Sequence, residues 1–323
     1  MKRLQALLLL IIFNICYPPW VAAVEPWVYV TNNGSDSLSI ISTTDDKVVS
    51  TLPVGREPHE VAITPDRNRI FVCNAADNTV SVIDANVVIA TLRTESFPHG
   101  VAITPDGQRA YVVNFLADSV TVIDVKKVQV SETLHNIRSH PRNISITPDG
   151  RFAYITTMGT SSVTVLDLRT HQIIAQIPVP EIGEGVGITP DSKTVYIASR
   201  GGNSVHIIDV QTNKVKGSVA VGTDPIRVAF SPDGKLALVP NLGTWDVTVL
   251  DVAERKVLGS VEVGASPVGV VVTPDSKKAY VAVYGENVVA VIDIQTLKVV
   301  KRIRTGLAPD GIAIALRPEG LRL

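Results

Sequence analysis

The chain has 323 residues, 45% of them hydrophobic and 5% aromatic, with 30 basic residues against 31 acidic ones. So even a charge balance gives no electrostatic reason to expect nucleic acid or an anionic membrane surface as a partner. The thin aromatic content argues against the stacking platforms of lectin-like or single-strand nucleic-acid binders.

In chain order, the first segment is a leader. Lys2 and Arg3 give it a positive start, residues 4–13 are largely apolar, and Val21-Ala22-Ala23 supplies small residues at a cleavage point. This is the three-part pattern of a secretory signal. Residues 1–23 therefore read as a signal peptide, 24–323 as a single domain, and the product as exported to periplasm, cell surface or medium. The apolar stretch falls short of the ~20 residues of a membrane span, so none is expected after cleavage; an uncleaved anchor is the alternative. Phe13-Asn14-Ile15 before Cys16 does not fit a lipoprotein signal. Cleavage leaves Cys73 alone, which excludes an intrachain disulfide.

Beyond the leader, one apolar block returns seven times at intervals of 40 to 43 residues, closed by Ser42, Asp84, Asp124, Asp167, Asp209, Asp251 and Asp293. Such a period, built of short strands and turns, predicts an all-β, seven-bladed β-propeller. Residues 58–92 show one blade: an apolar run Val61 to Ile63, a Thr64-Pro65-Asp66 turn, a strand Ile70 to Asn74, a strand Val80 to Ile83, a turn at Asp84, and a strand Val87 to Leu92. Proline presets the turn and Asp bonds the amides that follow. The plan is a four-stranded antiparallel meander. The domain begins at a second strand, Tyr29 to Asn32, and ends on a first strand, Gly311 to Ala315. These partial repeats sum to one blade, so the N-terminal strands are expected to close the ring against the C-terminal one and remove its open edges.

The second-strand motif is most literal at Tyr29-Val30-Thr31-Asn32. With the Ser119–Asp124 block and the Pro-Asp-Gly turn, it resembles the signature of the YVTN-type β-propeller repeat family, over residues 27–316. Thr157, Ser199 and Val283 depart from the motif's final Asn. The resemblance implies a secreted, periplasmic or surface propeller. It implies an interaction or binding scaffold more than a defined enzyme, and carries no shared catalytic set.

Strand direction puts the invariant turns on one face and the variable loops on the other, where a rigid scaffold presents function. The residue after each repeated Pro is expected at the mouth of the central channel. In ring order these are Asp310, His59, His99, Arg142, Glu184, Ile226 and Val268, with Gly183 replacing one Pro. Five polar residues are thus contiguous, and two apolar ones face them. Three readings fit: a solvated mouth free to vary, a site for a small polar or anionic ligand, and a metal site of His59, His99 and Asp310 with open positions. In the ligand site Arg142, His59 and His99 would meet the polar part, with Trp245 or Tyr284 from neighbouring loops beside the apolar sector.

His206 in a third strand reads as packed, His135 and His140 as loop residues near the rim, and Cys73 as a buried small residue. No nucleophile elbow, phosphate loop or paired zinc motif is present. The sequence thus predicts an exported monomeric propeller binding a protein partner or a small polar or anionic ligand, with no cofactor required. The alternatives are a propeller lactonase or lyase using His59, His99, Arg142 and Glu184, and a redox accessory similar to the haem-binding propeller of nitrite reductases. The latter would need His59 or His99 as axial ligand.

Overall fold

The structure, a computed structural model, describes residues 25–135, 137 and 139–316; the expected leader at 1–23 lies outside them. Seven four-stranded antiparallel sheets form the ring. We number blades from the first continuous one. Blade 1 comprises Pro58–Ile63, Arg69–Asn74, Thr79–Asp84 and Val87–Arg93. Blade 6 starts at Pro267–Val272 and ends at Lys298–Arg304. Blade 7 is composite: Pro309–Leu316 pairs antiparallel with Pro26–Asn32, with Val28 opposite Ile314 and Tyr29 opposite Ala313. Ring closure across the two ends of the repeat region is as the sequence predicts.

The turns explain the repeat. In blade 2 the Thr104 hydroxyl donates to Asp106 (2.5 Å) and accepts from the Arg109 amide (3.1 Å), while Asp106 accepts from the Gln108 amide (3.0 Å). The same pattern recurs at Thr64, Thr147, Thr189, Ser231 and Thr273. Between third and fourth strands, Asp124 accepts from the Lys127 amide at 2.8 Å, and the turn ends on a left-handed residue, Val128. Blade 1 shortens this turn to Ala85-Asn86, both at positive φ, the two-residue hairpin that fits a right-handed strand twist. That accounts for the 40-residue interval.

The repeated Asn at the end of the second strand is a clasp. Asn74 donates to Thr79 and Ser81 on the next strand and accepts from the Gly55 amide at 3.1 Å. It ties one blade to the link from its predecessor. Apolar residues of adjacent blades pack face to face: Phe71, Val80 and Val82 of blade 1 join Val101, Val112 and Ile123 of blade 2 in one buried cluster. Cys73 lies in that cluster, fully buried, and burial followed by the charge of Glu60 pushes its thiol well up. It is an inert core residue. Among the described residues no helix is long and apolar enough to cross a membrane.

Candidate functional site

A recurrent irregularity of the first, innermost strands builds the mouth. In blade 1 Pro58 pairs with Asn74 and Val61 with Val72, so His59 and Glu60 together oppose Cys73. This is a β-bulge, a device that re-aims side chains at the rim of a sheet. Blades 2, 3, 4, 6 and 7 shift register at the same place. In blade 5 the inner strand keeps only Ala229–Phe230, an isolated bridge from Pro225 to Asn241 and the Ile226 amide bonded to the Pro240 carbonyl at 3.1 Å, so Arg227 and Val228 stand outside the strand.

The bulges bring the expected arc together. His59 Nδ1 lies 2.6 Å from Asp310 Oδ2. The His59 and His99 rings stack at 4.5 Å, and His99 Nδ1 is 2.9 Å from the Arg142 carbonyl oxygen. Arg142 Nε donates to Glu184 Oε1 at 2.5 Å. Thr31 fixes the His59 end, donating to the His59 carbonyl (2.5 Å) and accepting from the Gly311 amide (2.8 Å). Thr156 donates in the same way to the Glu184 carbonyl at 3.0 Å.

Electrostatics fix the state of His99. Burial, then the charges of Arg142, His59 and Arg227, push His99 well below the usual imidazole range. The ring is neutral, so its Nδ1–H donates to the Arg142 carbonyl and Nε2 carries the lone pair. That Nε2 is buried without a hydrogen-bond partner, as is Glu184 Oε2. Burial pushes the Asp310 carboxyl up, but the His59 hydrogen bond and the charges of His59, Arg227 and Arg142 outweigh it and hold the group below the ordinary range. Asp310 is therefore an anion at neutral pH, and His59 turns an Nδ1–H toward it.

One position deeper, the chain alternates in a way the sequence reading missed. In ring order it has Gly311, Glu60, Gly100, Asn143, Gly185, Arg227 and Gly269. A Cβ on Gly185 would lie 2.4 Å from the Ile226 carbonyl, and one on Gly311 2.2 Å from that of His59, so the glycines let inner strands close in. The three side chains left fill the channel. Glu60 and Arg227 meet at 2.8 Å, and Asn143 has a buried, unpartnered Nδ2. All three line a cavity of roughly 310 Å³ below the mouth. Burial raises the Glu60 carboxyl against the pull of Arg227. Burial opposes the Arg227 charge, and Glu60, Asp310 and Glu184 more than restore it.

The rim holds a second unread feature. Phe97 stands 5.7 Å from His59 and 5.9 Å from Phe115, and Phe115 stands 5.1 Å from His140, ring centre to ring centre. Trp245 and Tyr284 are 52% and 41% exposed, and among the described residues neither makes a ring contact with these side chains. Ile226 is buried and Val268 partly so. His206 is packed, 3.4 Å from Ser204; His135 sits near Glu95.

Against known proteins, the profile of the family described as "Lactonase, 7-bladed beta-propeller" matches residues 89–256, just over half the chain. The chain belongs to this family. No curated protein matches it. Among solved structures, this lactonase-family propeller is similar to hydrazine synthase of Kuenenia stuttgartiensis, at 24% identity and TM-score 0.77, covering 82% of this chain and 91% of that one. It is also similar to a functionally unknown protein from Desulfotomaculum acetoxidans, at 19% identity and TM-score 0.80, covering 90% and 98%. A third is dihydro-heme d1 dehydrogenase NirN in complex with DHE, at 14% identity and TM-score 0.68, covering 89% and 74%. At these identities the likeness carries the fold alone.

As to groups the mouth could hold, the imidazoles of His59 and His99 are stacked, 26° between planes and 4.5 Å between centres, so their in-plane lone pairs lie in nearly parallel planes instead of meeting at one point. Among the described residues no group of three or more His, Cys, Asp or Glu is placed to hold a metal. His99 is 1% exposed, so of the two candidate axial ligands for a haem only His59 faces the opening.

Proposed function

We propose that this lactonase-family propeller is a small-molecule binding scaffold whose mouth takes an uncharged carbonyl compound of the lactone or ester class and hydrolyses it. The carrying observation is the His59–Asp310 pair at 2.6 Å, with the His59 side chain 18% exposed beside a nearly buried carboxylate. Two further points support the uncharged class. Every cation of the site already faces a carboxylate: Arg142 meets Glu184, Arg227 meets Glu60, and Arg200 lies 3.8 Å from Asp224. His99 is neutral. A net anion would find no unpaired positive charge.

The chemistry follows from the proton positions. In its neutral form His59 donates its Nδ1–H to Asp310, which leaves Nε2 as a general base. The imidazolium formed by proton uptake is the form whose charge Asp310 balances. Water attacks the carbonyl carbon while Nε2 takes its proton. The tetrahedral oxyanion collapses, the ring C–O bond breaks, and the leaving alkoxide takes that proton back from the imidazolium. Arg142 has committed one donor to Glu184, and its remaining N–H groups are available to a carbonyl oxygen. His99 acts as a positioning residue beneath His59.

The test is turnover of a small lactone panel by wild type, His59→Ala and Asp310→Asn. The expected loss in kcat is about 10²- to 10⁴-fold for His59→Ala. Undiminished turnover in that variant would sink the assignment, and saturable binding without turnover would leave the scaffold without the chemistry. Export belongs to the same proposal and is checked by N-terminal sequencing of secreted protein, expected to begin at Val24.

A further inference from the structure

The rim of rings next to His59 is costly to the local backbone. In six of the seven blades the residue two before the mouth position is left-handed, as at Glu57 (φ 50°), Asp224 (φ 53°), Ser266 (φ 59°) and Ala308 (φ 52°); blade 4 has Glu181 (φ 66°) in that conformation instead. Asn, Asp and Gly suit that conformation, and a bulky side chain there is an outlier. Blade 2 nevertheless has Phe97 at φ 60°. Bulky left-handed residues also end plain turns, as at Val128 and Leu297, so what distinguishes Phe97 is where its ring stands. Phe97 does not retreat into the core: it is only partly buried, as is Phe115.

The two phenylalanines form an unbroken row with their neighbours, each ring tilted 47° to 56° to the next from His59 onward. From His99 through His59, Phe97 and Phe115 to His140, successive rings are 4.5, 5.7, 5.9 and 5.1 Å apart. The Arg142 guanidinium lies 5.8 Å over Phe115. In a chain only 5% aromatic, this is a concentration of rings on one arc of one face, beginning at the proposed base. Polar orphans suited to a polyol are deeper and closed off, since His99 Nε2 and Glu184 Oε2 are both buried.

We propose that the Phe97–Phe115–His140 arc holds a flat, uncharged aromatic group, so that the mouth selects aryl lactones or aryl esters over aliphatic and polyhydroxylated ones. The selectivity rests on the hydrolytic reading above; the aromatic platform does not.

Binding and turnover separate the two. Coumarin and indole serve as flat neutral binding probes by calorimetry, and dihydrocoumarin, γ-butyrolactone and gluconolactone as substrates. The expected result is a kcat/KM for dihydrocoumarin at least tenfold above the other two, with the ratio falling about tenfold in Phe115→Leu, the worth of one or two aromatic contacts. Phe97→Asn gives a control for folding, because Asn suits the left-handed position: it should melt no lower than wild type and still bind indole about tenfold more weakly. Turnover of γ-butyrolactone at the same kcat/KM as dihydrocoumarin overturns the aromatic proposal and leaves the His59–Asp310 chemistry standing. Indole or coumarin binding that Phe115→Leu abolishes, with no lactone turned over, upholds the platform and overturns the hydrolysis. Probe binding unchanged in both variants, or absent from wild type, overturns the platform.

Discussion

Glu60 and Arg227 meet at 2.8 Å although 167 residues separate them, and the pair joins blade 1 to the region before blade 5 on the far side of the ring. The contact is a crossbar beneath the mouth. Removing one partner of a largely buried pair leaves an uncompensated charge, which costs far more than the pair itself contributes. Arg227 also senses Asp310 and Glu184, so its loss would disturb the mouth. Glu60→Gln and Arg227→Met are each expected to lower stability by about 3 kcal/mol. The double variant Glu60→Leu/Arg227→Met should recover part of it, read from urea denaturation midpoints.

Gly311 is the second point at which the site depends on backbone proximity. An added Cβ would meet the His59 carbonyl at 2.2 Å and the Glu60 Cα at 2.8 Å, both backbone atoms. Neither can yield without moving the strand that bears the proposed base. Gly311→Ala should cost about 3 kcal/mol, the upper end for overpacking. Gly259→Ala meets only the movable end of Leu297 at 3.0 Å and should cost under about 1 kcal/mol. Thermal melting of the two variants side by side is the measurement.

The blade count, the composite blade 7 and the mouth arc were legible in the sequence because each rests on local rules repeated in register. Thr104 and Asp106 make the same bonds as Thr189 and Asp191, and the residue after each Pro falls on the same bulge. Glu60 and Arg227 were not read, since their partnership needs the channel's width. A signal did exist: they interrupt a position where four of seven blades have Gly. Trp245 and Tyr284 were chosen for residue type. The repeat does place them, Trp245 at the left-handed loop position shared with Asn78 and Asn203 and Tyr284 at the start of the turn that Ala75 opens in blade 1. Their half-exposed rings belong to blades 5 and 6, away from His59, whereas Phe97 announces itself as a bulky residue directly before Pro98 in a pre-proline position otherwise given to Glu, His, Asp, Ser and Ala.

Acid should unfold the ring through its turns. The Thr and Ser hydroxyls of the first turns hold Asp66, Asp106, Asp191, Asp233 and Asp275 below the ordinary carboxyl range. Hydrogen bonds from Lys216 and Thr212 bring Asp209 down to about 2. With folded values below unfolded ones, the native state binds fewer protons. The stabilisation is therefore complete above the ordinary Asp pKa of about 3.9 and is lost as pH falls through the folded values. The urea midpoint should be level from neutral pH down to about 5 and drop steeply below about 4. Thr104→Val removes one donor and should cost about 1 kcal/mol at neutral pH, with the gap to wild type narrowing near pH 3. A gap that stays constant would assign the loss to packing.

Closure of blade 7 carries the strongest consequence for the whole molecule. Five consecutive pairings, Pro26 with Leu316 to Val30 with Ile312, attach the last strand to the first, and Tyr29, Trp27 and Val61 share one buried cluster beside it. Deleting residues 309–323 removes this strand with Asp310, uncovers the inner edge of Pro26–Asn32, and leaves Thr31 without the Gly311 amide it accepts from. An open ring also exposes a pairing edge that invites aggregation. The truncated protein should lose its cooperative melting transition. A synthetic peptide of residues 305–316 added in trans should restore it in a concentration-dependent way, because strand addition supplies the missing ladder. An unchanged melting temperature without the peptide would refute closure by this segment. Restoration by a peptide with Gly311 replaced by Val would show that the close approach to His59 is not required.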